Sequence, residues 1–518
     1  MKTAIEVTLA LLPFAMLIAG FLLFRLDALT TSIYAWAIEM IVFLFYYHFG
    51  LTKSIEASIW GNITMWTGFL VLYTGQIFGQ AYRSTGLLQT LLTSVESILP
   101  ARDKEGRAVA LVTVVGGFIG AFNGFATYPV TIPGLVELGF GGTQAAAAYL
   151  VYFSWSVPFV SLFIAANISN VAAHLPIPEI AQVSGILAIP LVFVSLFGFL
   201  RILGFRFLER ETQILFWLLG ASNIAGIVLF TQIWPAYYIL TLISGSAISL
   251  VALYVYGRKA QQPVPGSVSA PTPVVPAAKI AAPEAQAGSV DHVVRAYAPL
   301  LLGVIVVAAT SIGSVKKLLD HLSFNVSAWG YSQISINIVT SAGFFIFLTA
   351  LCCYFFSIKP ANAAKDLVIA SKRSASSLAT LFVGSAMVYL MVDSGQIALL
   401  GNALSGAGKL VYSATFPVLA FLGGMAFGQG LPGDFMFAHM QIPVAPLLGV
   451  PLVVLVGIVT VVTMGPANPL KPALIRYVAS LANVKGQDGA IFRTALPWQL
   501  LQVAVTAVMS VILLAVWH

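Results

Sequence analysis

The chain carries one glycine-rich pattern twice. Residues 116–133 read GGFIGAFNGFATYPVTIP, and residues 423–443 read GGMAFGQGLPGDFMFAHMQIP. Matching glycine, amide and proline positions in the two halves are offset by 306 to 310 residues, so chance alignment of apolar sequence is a poor explanation. A duplicated unit in a hydrophobic chain is typical of secondary transporters, whose two repeats meet around a substrate site near the middle of the membrane.

The composition excludes a soluble protein. Of 518 residues, 59% are hydrophobic and only 8% are charged, and the mean hydropathy is +0.95. A soluble domain carries about 25% charged residues. The net charge of +7 comes from basic residues at the ends of apolar segments, which indicates orientation in the membrane and not a nucleic-acid partner. The only two cysteines, Cys352 and Cys353, are adjacent, which excludes a disulfide framework and argues against a metal site.

Apolar runs long enough to cross a bilayer lie near 7–24, 30–49, 60–81, 184–204, 213–231, 235–256, 296–314, 333–357, 374–392 and 496–517. Two further apolar stretches, 108–172 and 410–480, are interrupted by Gly and Pro. Each is too long for one helix, so we predict a hairpin followed by a helix that is unwound at its middle. The predicted fold is an all-α polytopic membrane protein. It has two inverted repeats, about 12 transmembrane helices, two re-entrant hairpins and two broken helices.

The same patterns predict the domain boundaries and the orientation of the chain. A linker rich in Pro, Ala, Val and Ser joins the halves, and the positive-inside rule places it in the cytoplasm, with both termini outside. The amphipathic segments 84–99 and 394–408 are expected to lie in the membrane interface. The predicted units are a first repeat at 1–205 (hairpin 108–138, broken helix 143–172), two connecting transmembrane helices at 206–257, a flexible linker at 258–295, and a second repeat at 296–518 (hairpin 412–443, broken helix 446–480).

The tip of the first predicted hairpin offers neutral hydrogen-bonding groups. Asn123, Gly124 and Thr127 lie there, and the only charged residue in 108–172 is Glu137. Small residues in membrane helices usually serve helix packing, and for a single glycine that explanation is the better one. Because the glycine and amide pattern recurs in the second half, we interpret the cluster as a substrate-binding tip.

The second tip contains Gln429, Gly430 and Asp434. We assign Gln429 and Gly430 to the same substrate site. Asp434 is the only carboxylate in the segment 410–483. A carboxylate inside a membrane is costly and is by default a functional group, here a carrier for a coupling proton or sodium ion. The alternative is that Asp434 lies in water at the external mouth of the hairpin, and the sequence leaves both open.

The second broken helix carries the candidate positive charge. Residues 463–472 read TMGPANPLKP, and three prolines within seven residues exclude a regular helix. Freed amides and a helix N-terminus favour an anion there. Lys471 adds a full positive charge, and Asn468 adds an amide. The corresponding first-half segment contributes the hydroxyls of Ser154 and Ser156.

These glycine and proline patterns resemble those of the bacterial L-lactate permeases. The resemblance implies transport of lactate, glycolate and related 2-hydroxy acids with protons, across the bacterial inner membrane. It also implies a scaffold and a transport domain, an elevator movement and a homodimer. The residues that carry it are Gly116–Phe140, the run Arg295-Ala296-Tyr297-Ala298-Pro299, Gly423–Gln441, the proline-rich stretch to Pro472, and the final span after Phe492-Arg493.

The chain departs from the family's pattern at the tips. Asn123 stands where the family has an acidic residue, and 429–434 replaces a Ser-Asp-Thr-Ser-Ser-Asn run, so the acid comes four positions later. The family's lysine aligns with Asn468, while Lys471 takes a serine position. The resemblance therefore indicates a diverged member and leaves the substrate and the coupling ion open.

Together the patterns predict a secondary active transporter for a small organic anion, such as a 2-hydroxy monocarboxylate, coupled to a cation. No cofactor beyond a coupling proton or sodium ion is expected. The chain contains no His-Glu-x-x-His, Gly-x-Ser-x-Gly or phosphate-binding loop, so we do not expect an enzyme. The alternatives are a passive anion channel, or a transporter of another small anion such as a sulfonate or dicarboxylate.

Overall fold

The computed structural model describes residues 2–24, 26–99, 103–260, 290–427 and 430–517. The predicted linker falls mostly on 261–289, outside the described residues. The helices of the first half are α1 (Lys2–Leu22), α2 (Ala28–Ile41), α3 (Leu51–Thr64), α4 (Trp66–Ser84), α5 (Leu87–Glu96), α6 (Lys104–Ala110), α7 (Gly116–Phe122), α8 (Gly124–Glu137), α9 (Gly142–Ser154), α10 (Val160–Ala173), α11 (Ile177–Ile202), α12 (Arg210–Ile227) and α13 (Thr241–Ala260).

The second half repeats much of this order and adds two short strands. Its elements are α14 (Val290–Ser311), α15 (Gly313–Asp320), β1 (Phe324–Val326), β2 (Ile334–Ile336), α16 (Ala342–Phe355), α17 (Ala363–Asp393), α18 (Gln396–Ser405), α19 (Lys409–Ala426), α20 (Gly430–Leu448), α21 (Leu452–Met464), α22 (Pro472–Leu481) and α23 (Asp488–Val516).

The all-α polytopic fold is confirmed. Within the described residues, ten helices are long and apolar enough to cross a membrane, or eleven if α9 and α10, bent by 63°, count as one broken span. The sequence predicted about 12. Two predicted spans, the helical cores Ala4–Gly20 and Ala342–Phe355, are apolar but short, and a third, 60–81, is divided at Met65 between α3 and α4.

One predicted span begins too early. Residues 333–357 were assigned to a helix, but Ile334–Ile336 forms β2, which pairs antiparallel with β1. The helix starts only at Ala342, where the Ser341 hydroxyl accepts a hydrogen bond from the Phe344 amide. The prediction is wrong here because an alternating Ile-Ser-Ile run has a mean hydropathy as high as that of a helical segment, so hydropathy alone does not distinguish the strand.

Corresponding elements recur in the two halves. Both segments that were predicted to lie in the membrane interface form ten-residue helices, α5 and α18. Each follows a glycine with left-handed backbone, Gly86 at φ +80° and Gly395 at φ +77°, a conformation that glycine adopts without steric cost. Each half also contains a broken helix followed by a long helix with one internal proline. The inverted orientation of the halves and the domain boundaries stay predictions.

Both glycine-rich stretches fold as helical hairpins. In the first, α7 and α8 lie side by side, with Gly116 beside Thr131 and Gly120 beside Thr127. The chain reverses at Asn123, whose backbone is extended. In the second, α19 and α20 pack together, and residues 428–429 between them in the chain lie outside the described residues. Whether either hairpin leaves the membrane on the side from which it entered stays a prediction.

A buried carboxylate joins three helices outside the hairpins. Asp366, near the start of α17, is 4% exposed. It accepts hydrogen bonds from Gln80 Nε2 at 2.9 Å and Ser84 Oγ at 2.5 Å, both on α4. It also accepts one from the Tyr354 hydroxyl of α16 at 3.1 Å. The carboxylate therefore holds α4, α16 and α17 in one arrangement.

We expect Asp366→Ala to lower the stability of the folded protein. Three buried or half-buried donors lose their acceptor, and an unsatisfied donor costs about 1–3 kcal/mol. Thermal unfolding in detergent would show a lower melting temperature than for Asp320→Ala, which removes an exposed carboxylate. Equal melting temperatures for the two variants would contradict this role for Asp366.

Candidate functional site

The hairpin tips and the two broken helices meet around a pair of adjoining cavities. The smaller, of about 70 Å³, is lined by polar groups of Asn123, Gly124, Ser161 and Asn468 and by the backbone of Gly430. The larger, of about 460 Å³, shares Asn123 and Asn468 with it and adds Lys471. Five of the predicted site residues (Asn123, Gly124, Gly430, Asn468 and Lys471) thus come together.

Asn123 fixes the first tip against a neighbouring helix. Its side-chain Nδ2 donates a hydrogen bond to the Gly75 carbonyl of α4, and its Oδ1 accepts one from the Phe125 amide at 3.0 Å. The second bond caps the N-terminus of α8. The Gly124 amide donates to Ser161 Oγ at 3.4 Å, which ties the tip to the first broken helix.

Lys471 is the buried cation of the site. It is 3% exposed and immediately precedes α22. Its Nζ donates a hydrogen bond to Asn468 Oδ1 at 2.9 Å. A β-carbon added to Gly430 would lie 3.1 Å from that Nζ and 2.6 Å from the Met464 sulfur. The ammonium group therefore lies against the second tip, where only glycine leaves it room.

The cavities have a positive electrostatic character. Helices α8, α20 and α22 begin at their edge, with Gly124, Gly430 and Lys471 at the starts. A helix N-terminus carries a partial positive charge, also at α8, where the Gly124 and Phe125 amides already have acceptors within the protein. No carboxylate occurs among the described lining residues, so a buried ammonium faces this space without a paired anion. Burying a charge is costly unless it is paired, and an anionic ligand would supply the partner.

The larger cavity also contains residues that the sequence analysis missed. Arg83 of α4 and Arg373 of α17 line it with exposed side chains, and Tyr477 of α22 lies with them. Arg373 Nη1 donates a hydrogen bond to Gln80 Oε1 at 2.8 Å. Gln80 in turn binds Asp366, so the same network that joins the helices orients this guanidinium. In the sequence both arginines look like basic ends of spans, and nothing indicates that they converge with Lys471.

Asp434 lies inside the protein beside this site. It is fully buried, so the alternative of an exposed position at a hairpin mouth is wrong. Its Oδ1 accepts a hydrogen bond from Thr463 Oγ1, and its Oδ2 accepts one from Ser169 Oγ, both at 2.9 Å. Ser169 and Thr460 share a further bond of 2.8 Å. A carboxylate surrounded by three hydroxyls suits a proton or a small hard cation.

The remaining predicted residues have other partners. The hydroxyls of Thr127 and Ser154 donate to backbone carbonyls of their own helices, and that of Ser156, just beyond α9, donates to the Phe153 carbonyl of α9. Ser154 also donates to Gln502 Oε1 of α23 at 2.8 Å. None of the three lines either cavity. Gln429 lies outside the described residues.

The break between α9 and α10 has a backbone conformation that the residue pattern does not predict. Ser161, Leu162 and Phe163 have φ values of +53°, +55° and +63°. Left-handed backbone costs non-glycine residues about 1–2 kcal/mol each. Such strain persists where the surrounding fold enforces it, and it is concentrated at functional sites. Here it places Ser161 at the small cavity, next to the first tip.

Comparisons with solved structures return distant matches. The YdaH transporter of Alcanivorax borkumensis is 16% identical, with 87% of this chain and 86% of that chain covered and a TM-score of 0.42. MtrF of Neisseria gonorrhoeae, described with a class of antimetabolite efflux pumps, is 14% identical, with 95% and 96% covered and a TM-score of 0.42. Neither likeness is close enough to carry an argument. No curated protein sequence matches the chain significantly.

The family comparison is decisive. The model of the L-lactate permease family matches residues 6–517, nearly the whole chain. This confirms the resemblance drawn from the glycine and proline patterns, and the described helices agree with a multi-pass membrane protein. The chain therefore belongs to the L-lactate permease family and is a membrane transporter.

Proposed function

We propose that this protein is a secondary active transporter that carries a small organic anion together with a cation. The favoured substrate is a 2-hydroxy monocarboxylate such as lactate or glycolate, and the favoured location is the bacterial inner membrane, as a homodimer. The observation that carries the proposal is the buried Lys471, held at a helix break against the second tip and without an anion among the described residues that line its cavity. Family membership supports the substrate class.

In this proposal the substrate carboxylate binds between Lys471 and the helix N-termini. The ammonium group supplies charge, and the free amides of α22 supply directed donors. Asn468 Oδ1 already accepts from Lys471, so its Nδ2 is available to the carboxylate or to the 2-hydroxyl. Arg83 and Arg373 raise the local concentration of anions in the larger cavity. The positive-inside rule assigns the start of α17 to the cytoplasm, so we propose that this cavity opens there.

Charge balance would couple the two fluxes. With an anion on Lys471 and a cation on Asp434, both buried charges are neutralised. With neither ion bound, the positive charge of Lys471 and the negative charge of Asp434 cancel. Loading only one site leaves a net buried charge, which is expensive at membrane depth. The fully loaded and the empty protein are therefore the states that change conformation, which is the requirement for symport.

The packing of α4 supports an elevator-type movement. A β-carbon added to Gly75 would lie 3.1 Å from the Asn123 side chain, and one added to Gly68 would lie 3.0 Å from Leu431. Gly79 approaches the first tip in the same way. Spacings of seven and four residues put these glycines on one face of the helix. Both tips thus lie on a flat surface of α4, along which we propose that they move.

We expect Lys471→Ala to weaken substrate binding strongly. A hydrogen bond to a charged group contributes about 1.5–3 kcal/mol, so KM for L-lactate should rise roughly 10- to 100-fold. The measurement is uptake into proteoliposomes, with Lys485→Ala as the control because that lysine is exposed. An unchanged KM in the Lys471 variant would refute the assigned role. Competition by sulfonates or dicarboxylates in the same assay would redefine the substrate class.

Gly430→Ala should weaken binding without unfolding the protein. The three atoms nearest to the added methyl group are the flexible ends of Met464 and Lys471, so the side chains must move and the fold need not. We expect a several-fold rise in KM with an unchanged melting temperature. Gly489→Ala makes the same change in open space. A Gly430 variant with the affinity of this control would show that the tip does not position the ammonium group.

Asp434→Asn should uncouple transport. The amide keeps the size of the carboxyl but carries no charge, so a driving cation gradient no longer acts on the loaded state. Accumulation driven by a pH or sodium gradient should be lost, while exchange of substrate at equal concentrations persists. Asp320→Asn, at an exposed carboxylate, should behave like wild type. Retained accumulation would remove Asp434 from the coupling step, and non-saturating uptake independent of any gradient in wild type would indicate a channel.

A further inference from the structure

A second buried carboxyl group lies away from the anion cavities. Glu39 of α2 is fully buried. Its Oε1 accepts a hydrogen bond from Gln396 Nε2 at 2.6 Å. Gln396 is the first residue of α18 and is also fully buried. This contact between residues 357 positions apart fastens the start of the interfacial helix α18 to α2.

The same pair leaves oxygen atoms without hydrogen bonds. Glu39 Oε2 and Gln396 Oε1 are both buried, and neither has a hydrogen-bond partner among the described residues. Two acceptors cannot satisfy each other, and each unsatisfied buried group is costly. A proton on Oε2 turns the carboxyl group into a donor and makes it complementary to a primary amide, which offers one donor and one acceptor. Protonation of Glu39 is therefore the change that would satisfy both groups.

The surroundings of Glu39 also favour its neutral form. The titratable groups near Glu39 and on the elements packed against α2 include Glu6 of α1, Tyr46 and Tyr47 just beyond α2, and Tyr389 and Asp393 in the last turns of α17. Asp393 is itself engaged by Lys53 at 3.4 Å and by the Tyr331 hydroxyl at 2.9 Å. No basic side chain of the described residues pairs with Glu39. An ionised Glu39 would be a buried charge without compensation.

Helix α18 connects this pair to the second hairpin. A β-carbon added to Gly401 would lie 2.8 Å from the Met440 carbonyl oxygen, so α18 and α20 are in close backbone contact. Helix α20 also carries Asp434. The equivalent first-half helix, α5, begins with Leu87, a buried apolar residue. An amide at this position is therefore not needed to build such a helix, and the second half has a specific reason to hold one.

We propose that Glu39 is a second proton-binding site, at the junction of α2 and α18. In its neutral form it holds α18 through Gln396, and when it loses its proton the junction opens and α18 and the second hairpin are released. This inference does not depend on the identity of the transported anion. It adds a proton site that acts on the movement of the hairpin and not on the substrate.

The test is hydrogen exchange of the amides in 396–405 as a function of pH, on purified full-length protein without substrate. We expect the protection factors in wild type to fall roughly tenfold as Glu39 ionises at rising pH. Glu39→Gln imitates the neutral acid, because its amide can both donate to and accept from Gln396. Its protection factors should stay high and independent of pH. Glu137→Gln, at an exposed carboxylate, should follow wild type.

The exchanged pair Glu39→Gln with Gln396→Glu supplies a second criterion. It keeps one acid and one amide at the junction, so the fall in protection with pH should return. It also keeps the proposal testable if Glu39→Gln alone does not fold. A Glu39→Gln variant with the pH profile of wild type, or an exchanged pair without any pH dependence, would overturn the proposal. Because no substrate is present, neither outcome depends on the uptake results for Lys471 and Asp434.

Discussion

The site depends on one constraint: an ammonium group is buried where a membrane helix is interrupted. A charge at that depth needs hydrogen bonds, and an interrupted helix has free backbone groups that need partners as well. The segment around Lys471 meets both needs at one place. Asn468 accepts from the ammonium, and the second tip closes over it at Gly430. What remains unmet is the positive charge itself, and that deficit is the reason for proposing an anionic ligand.

The packing around this point follows from the same constraint. A hairpin tip can cover the break only if neighbouring helices let its backbone approach closely, which the glycines of α4 allow. Asn123 at the end of the first tip then donates a hydrogen bond to the Gly75 carbonyl of that helix. The arginines of the larger cavity stand on helices held together by Asp366. The first tip and the two guanidinium groups thus line one cavity.

The sequence predicted the parts of this arrangement that depend on local chemistry. Gly-rich tips are visible because only glycine lets neighbouring groups approach the backbone so closely. The broken segment is visible because proline interrupts a helix, and Lys471 is conspicuous in an apolar run. Contacts between distant residues could not be predicted. In the sequence Arg83 and Arg373 only mark the ends of two apolar runs, and the Glu39–Gln396 pair joins two helices that no spacing rule relates. The left-handed turn at Ser161 was also hidden, since its residues have no preference for that backbone. Ser154 and Ser156 had the right chemistry, but both hydroxyls donate to backbone carbonyls of α9.

The duplication therefore explains the framework and not the chemistry. Hairpins, a ten-residue helix after a left-handed glycine, and helix breaks occur in both halves, yet the buried charges of the site, Lys471 and Asp434, come from the second. The first half supplies what those charges require: Ser169 donates to Asp434, and the first tip completes the cavity beside Lys471. A carboxylate from one repeat that is stabilised by a hydroxyl from the other can exist only where the halves are assembled. Each half is thus incomplete alone, and the interface between them is the place where a small shift changes the environment of both charges at once.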